Sequence, residues 1–155
     1  MTDSIPTPSL RQVRGRLAAI AAERQQAETG AVQGGTPIID ARGTITRHAL
    51  RGHLASLILT ALERGEAHGF EIQRRLEAAG SGALRLKEGS LYPALYRLEG
   101  AGLVRGEWED GAVERRGPRR RIYRLTSKGA ERLTAARSQW RQFVQTIGGI
   151  LGAPA

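Results

Sequence analysis

The chain has 155 residues, enough for one domain with its own core, and Lys+Arg 24 against Asp+Glu 15 gives a formal net charge of +9. With no cysteine it can build no disulfide, no thiolate metal site and no thiol nucleophile. No apolar run approaches the ~18 residues of a membrane-spanning helix. The first ten residues lack a basic segment leading into an apolar one, so a cytoplasmic protein without a secretory signal is expected.

Of the 24 basic residues, Lys87 and Lys128 are the two lysines, and the rest are arginines. A GC-rich genome would enrich arginine everywhere. A polyanionic partner, nucleic acid or an anionic membrane face, would make it cluster.

In chain order, Leu10, Val13, Leu17 and Ile20 recur at helical steps and predict an amphipathic helix over about 9–27, capped by Ser9. Gly30, Gly34, Gly35, Pro37 and Gly43 then mark a linker. Residues 1–46 are therefore expected to be an N-terminal extension. A strong helix is predicted from His48 to Arg64, with Leu50, Leu54, Leu57, Ile58, Ala61 and Leu62 on one stripe and Gly65 just beyond its end. A second runs from about His68 to Ala79. Leu84-Arg85-Leu86 reads as a short strand. A third helix, from about Ser90 to Gly100, turns Leu91, Leu95 and Leu98 inward, with Ser90 as cap and Pro93 in its first turn. Past Gly102 the apolar period shortens to two, predicting strands over 103–109 and 120–125 around the turn Asp110-Gly111. Thr126 is placed to cap a last helix over 127–151.

Three helices, a hairpin and a helix is the order of a winged helix-turn-helix, in a mainly α fold with a small β-hairpin (α+β). In such a unit the third helix enters the DNA major groove and the hairpin tip reaches phosphates or the minor groove. The outer face of the third helix offers Ser90, Tyr92, Pro93, Tyr96 and Arg97, with Lys87 just before it. The hairpin tip reads Arg115-Arg116-Gly117-Pro118-Arg119-Arg120-Arg121, a density of charge that suits a polyanion. These residues, Gly117 and Pro118 excepted, are the eleven candidate DNA contacts.

Residues 51–134 resemble PadR-like transcriptional regulators. The resemblance rests on His68-Gly69-Phe70-Glu71-Ile72, on Glu88-Gly89-Ser90-Leu91-Tyr92-Pro93-Ala94-Leu95 with Arg97-Leu98-Glu99 and Gly102-Leu103-Val104, and on Gly117-Pro118-Arg119-Arg120-Arg121 with Tyr123-Arg124-Leu125-Thr126-Ser127-Lys128-Gly129. It implies a dimeric repressor that binds a palindromic operator and often responds to a small molecule. The family's DNA-reading positions fall here on Ser90–Arg97 and the wing arginines. The 46 residues in front depart from the usual family pattern.

In the last helix Leu133, Trp140 and Ile147 repeat every seven residues, as do Ala136, Phe143 and Ile150, which is the seam of a helix that pairs with another. A homodimer is expected through it, with the 9–27 helix a candidate to complete the packing. In some PadR-like proteins the aromatic corresponding to Trp140 lines an effector pocket, so Trp140 and Phe143 are candidates to stack a small aromatic effector. No cofactor, metal site or catalytic group is expected. His48 and His53 are five apart and miss a shared helical face, and Glu71, Glu77 and Glu99 read as solvated helix faces. The rival readings are a winged-helix protein-interaction module and a nonspecific nucleic-acid-binding protein.

Overall fold

In the computed structural model, residues 37–109 and 119–152 are described. The 9–27 helix, the linker up to Thr36 and the turn at Asp110-Gly111 lie outside them. The elements are α1 (Arg47–Arg51), α2 (Leu54–Glu63), β1 (Ala67–His68), α3 (Gly69–Ala79), α4 (Glu88–Gly100), β2 (Val104–Trp108), β3 (Arg121–Leu125) and α5 (Ser127–Leu151). The three strands form one antiparallel sheet in the order β1-β3-β2.

The helix expected over His48–Arg64 is two helices. Thr46 caps α1, its hydroxyl accepting from the Ala49 amide, and Gly52 ends it. The His53 amide then bonds three residues back, to Leu50, and tightens the turn before α2 resumes. Leu50 and Leu54 are both buried across this break. Their spacing of four is the same with or without it, so periodicity cannot reveal it.

The strand expected at Leu84-Arg85-Leu86 is an extended segment outside the sheet. Leu84 and Leu86 are buried and Arg85 is exposed, as a strand would have them. The backbone of Leu86, however, is satisfied by side chains of α3. Its amide donates to Glu77 at 3.2 Å and its carbonyl accepts from Gln73 Nε2 at 2.8 Å. The third strand is Ala67–His68, paired with Tyr123 and Ile122 of β3.

The core gathers Ile58, Leu59 and Leu62 of α2, Ile72 and Leu76 of α3, Leu91, Leu95 and Leu98 of α4, Val104, Tyr123 and Leu133. Arg75 fastens α3 to the end of α2. Its Nη1 donates to the carbonyls of Ala61 (3.0 Å) and Gly65 (2.9 Å), and its Nε to Glu71 (3.2 Å). These bonds occupy carbonyls that a helix end leaves without donors. The stretch before α1 is also tied down: Ile39 bridges Ile45, the Ile45 amide donates to Ala83, and Ile45 packs against the core.

Thr126 caps α5, its hydroxyl accepting from the Gly129 amide at 3.0 Å. The first turns of α5 belong to the body. Leu133 is buried, and Arg137 makes a two-pronged contact with Glu63 of α2 at 3.0 and 2.7 Å. Among the described residues no helix is long and apolar enough to cross a membrane.

Candidate nucleic-acid interface

Helix α4 starts earlier than expected. Lys87 is its N-cap, so Ser90 lies inside the first turn and does not cap. The same shift moves Pro93 into the second turn, where the Gly89 carbonyl loses the helical donor it would otherwise have. The inward face is Leu91, Ala94, Leu95 and Leu98, all buried. Lys87, Tyr92, Pro93, Tyr96 and Arg97 are exposed and Ser90 is half-buried. Tyr96 projects furthest, 79% exposed.

Tyr92 has a second role. Its ring lies over Gly69 at the start of α3, where an added Cβ would sit 2.8 Å from the ring carbon Cε1 and from the hydroxyl oxygen. Glycine at 69 is what lets the ring lie there, so Tyr92 joins α4 to α3 while its outer edge faces solvent.

The hairpin lies beside α4. A groove lined by Tyr92, Pro93, Tyr96, Arg97, Glu99, Arg121 and Tyr123 runs between them. An adjoining cleft is lined by Phe70, Tyr92, Trp108, Arg119, Arg120 and Arg121, with His68 and Tyr123 among the other residues. Of the five candidate wing arginines, Arg115 and Arg116 lie outside the described residues. Arg119 and Arg120 are exposed, and the Arg119 guanidinium sits 5.8 Å from the Trp108 ring centroid.

Arg121 is engaged inside the domain. Its guanidinium pairs with Glu99 of α4, donates to the Gly106 carbonyl at 3.3 Å and sits 5.4 Å from the Trp108 ring centroid. Burial pushes the neighbouring Tyr123 phenol above its ordinary pKa, and the Arg121 charge works against that shift.

The acids expected to be solvated are the second departure. Glu71 takes Arg74 and Arg75, Glu77 takes the Leu86 amide, and Glu99 takes Arg121. A hydrogen bond from Arg74, with a further one from Arg75, holds the Glu71 carboxyl below the usual range against the opposing effect of desolvation. Glu71 finds its partners on its own helix, three and four residues on, whereas those of Glu77 and Glu99 come from segments that folding brings alongside.

The seam residues divide. Leu133 is buried in the body and Ala136 is half-buried, whereas Trp140 (50% exposed), Phe143 (55%), Ile147 and Ile150 face solvent. Trp140 and Phe143 stack, their centroids 5.7 Å apart, and His53 meets Trp140 edge-on at 5.0 Å. His53, set aside as a metal ligand, is thus part of an aromatic row at the junction of the body and α5.

The comparisons agree with this architecture. The model of the "Transcriptional regulator PadR-like family" matches residues 58–135, from α2 into α5. The chain belongs to the PadR-like family. A PadR family transcriptional regulator from Eggerthella lenta is 31% identical, with TM-score 0.58, covering 67% of this chain and 86% of its own. A transcriptional regulator from Clostridium thermocellum is 25% identical, with TM-score 0.60, covering 66% of this chain and 96% of its own. A protein from Lysinibacillus sphaericus is 29% identical over 98 residues, 63% of this chain and 87% of its length. As a PadR-like protein this is a winged-helix, DNA-binding transcriptional regulator rather than an enzyme.

Proposed function

We propose that this PadR-like regulator is a cytoplasmic, homodimeric, sequence-specific repressor of a palindromic operator. Residues 47–125 are the DNA-binding domain, 126–155 the dimerisation helix, and 1–46 an N-terminal extension. The observation that carries the reading is the pairing of two clefts that share Tyr92, Arg121 and Tyr123 and place exposed Arg97 beside exposed Arg119 and Arg120.

In this reading Tyr96 and Arg97 meet base edges, Lys87 and Ser90 meet phosphate at the start of α4, and Arg119 and Arg120 take flanking phosphates with Arg115 and Arg116. Tyr92 and Pro93 shape the helix surface that enters the groove. The open seam of Trp140, Phe143, Ile147 and Ile150, continuing from Ala136, supports pairing with a second copy. Trp140 and Phe143, already stacked, are the pair on which a flat aromatic effector would insert and relieve repression.

The test is selection from a random duplex pool followed by mobility shift. The unmutated protein is expected to enrich a palindrome. Arg97→Ala should lower discrimination between that palindrome and random DNA. Arg120→Ala should weaken binding to both and flatten the dependence of log K on log salt by about 0.9. Equal binding of the unmutated protein to selected and random DNA would overturn the reading.

A further inference from the structure

Three residues at the junction of α4 and the hairpin each break a local rule, and they touch one another. Glu99 stands in the last turn of α4, where the helix dipole disfavours a carboxylate. Gly106 sits in the middle of β2, where glycine weakens a strand. Arg121 is a cation with its guanidinium drawn inward and its Nε buried without a hydrogen-bond partner among the described residues. One arrangement accounts for all three. Arg121, opposite Trp108 in the sheet register, passes over Gly106 to reach Glu99. A Cβ at 106 would collide with the Arg121 Nε, so glycine there leaves the slot open. The Trp108 ring closes the other side.

We propose that Glu99, Arg121 and Trp108 form a strut that sets the angle between the reading helix and the wing, which makes Glu99 a positioning residue for DNA recognition. The hairpin is anchored at its base by buried Val104 and mid-strand by buried Tyr123. Its distal end is not: Trp108 is 52% exposed. The Glu99–Arg121 pair ties that end to α4, and both side chains are about two-thirds shielded, at 30% and 32% exposure. Such shielding strengthens an ion pair relative to a fully solvated one. Glu99 also sets a negative charge beside the surface assigned to DNA, which opposes phosphate binding. The strut supplies the compensation: α4 and the wing engage their sites together only when their separation is fixed. This rests on the DNA-facing assignment of α4 and the wing.

The test compares Glu99→Gln, Arg121→Lys and the double variant on the duplex the unmutated protein selects and on random duplex. Glu99→Gln removes the charge and little volume. Arg121→Lys keeps the charge and loses the planar fork. Each is expected to weaken selected-duplex binding about tenfold. Random-duplex binding and the salt slope stay unchanged, and the double variant is no worse than either single change. If Glu99 instead masks a phosphate ligand, Glu99→Gln tightens binding to both duplexes and steepens the slope by about 0.9, which overturns the proposal. Additive losses, or an Arg121→Lys variant that binds like the unmutated protein, also overturn it.

A DNA-free readout separates failure of the strut from failure of the DNA reading. In the free protein, Glu99→Gln should speed hydrogen exchange at the Glu109 amide, which bonds the Arg120 carbonyl at 2.9 Å, without affecting the Val104 amide. Unchanged exchange at Glu109 would sink the strut whatever the protein binds.

Discussion

Helix α2 and the distal half of α5 carry apolar stripes of similar regularity, yet α2 buries its stripe, with Leu57 alone only partly covered, and α5 leaves its own in solvent. Leu54, Ile58, Leu59, Ala61 and Leu62 are each 7% exposed or less. In α5, Leu133 is 2% exposed, but Trp140, Phe143, Ile147 and Ile150 range from 39% to 76%. A stripe predicts that a helix needs a partner; only the length of the helix relative to its own body decides whether that partner is in the same chain. Helix α2 lies against α3, α4, α5 and β3. Helix α5 has its body as far as the Arg137–Glu63 pair and the His53–Trp140 contact, and then extends beyond it.

Substitutions should separate the two stripes. Ile58→Ala empties a fully buried site and should lower the unfolding free energy by about 2–5 kcal/mol in urea titration. Trp140→Ala should leave the unfolding midpoint of dilute protein close to its starting value. In sedimentation equilibrium it should raise the dimer dissociation constant by about thirtyfold, the loss of one central aromatic anchor. A dissociation constant that does not move would mean that the exposed stripe serves something other than self-association.

The smallest effect concerns the boundary between the two regions. The Glu63 carboxyl is held below its ordinary 4.5, chiefly by the hydrogen bond from Arg137, which outweighs desolvation with a smaller contribution from the Arg137 charge. A carboxylate with a lowered folded pKa contributes stability that is complete above its ordinary value and is lost as pH falls through the folded value. Acidification below about 4.5 should therefore loosen α5 from α2. Tryptophan fluorescence should show a transition there that Glu63→Gln lacks. Salt should shrink it, because both side chains are half exposed.

What was legible in the sequence followed from local rules. Spacing of apolar residues placed α3, α4 and α5, the change of period located the hairpin, and Thr126 marked the start of α5. The order of these elements, with the strings around His68, Ser90 and Tyr123, pointed to the family. Signals that depend on a distant partner were not legible. Gly52 broke a helix across an unbroken leucine pattern. Leu84 and Leu86 alternated like a strand but found Gln73 and Glu77 in place of a neighbouring strand.

Arginine shows the same division. The sequence by itself determined that this protein carries a dense run of guanidinium groups next to a helix with a polar outer face. Tertiary structure decided which of them remain available. Arg119 and Arg120 stay exposed, while Arg121, adjacent in the chain, turns inward to Glu99. The reason is geometric. Arg119 and Arg120 precede the strand, whereas Arg121 opens β3 opposite Trp108, and a carboxylate 22 positions earlier meets it only once α4 and β3 have docked.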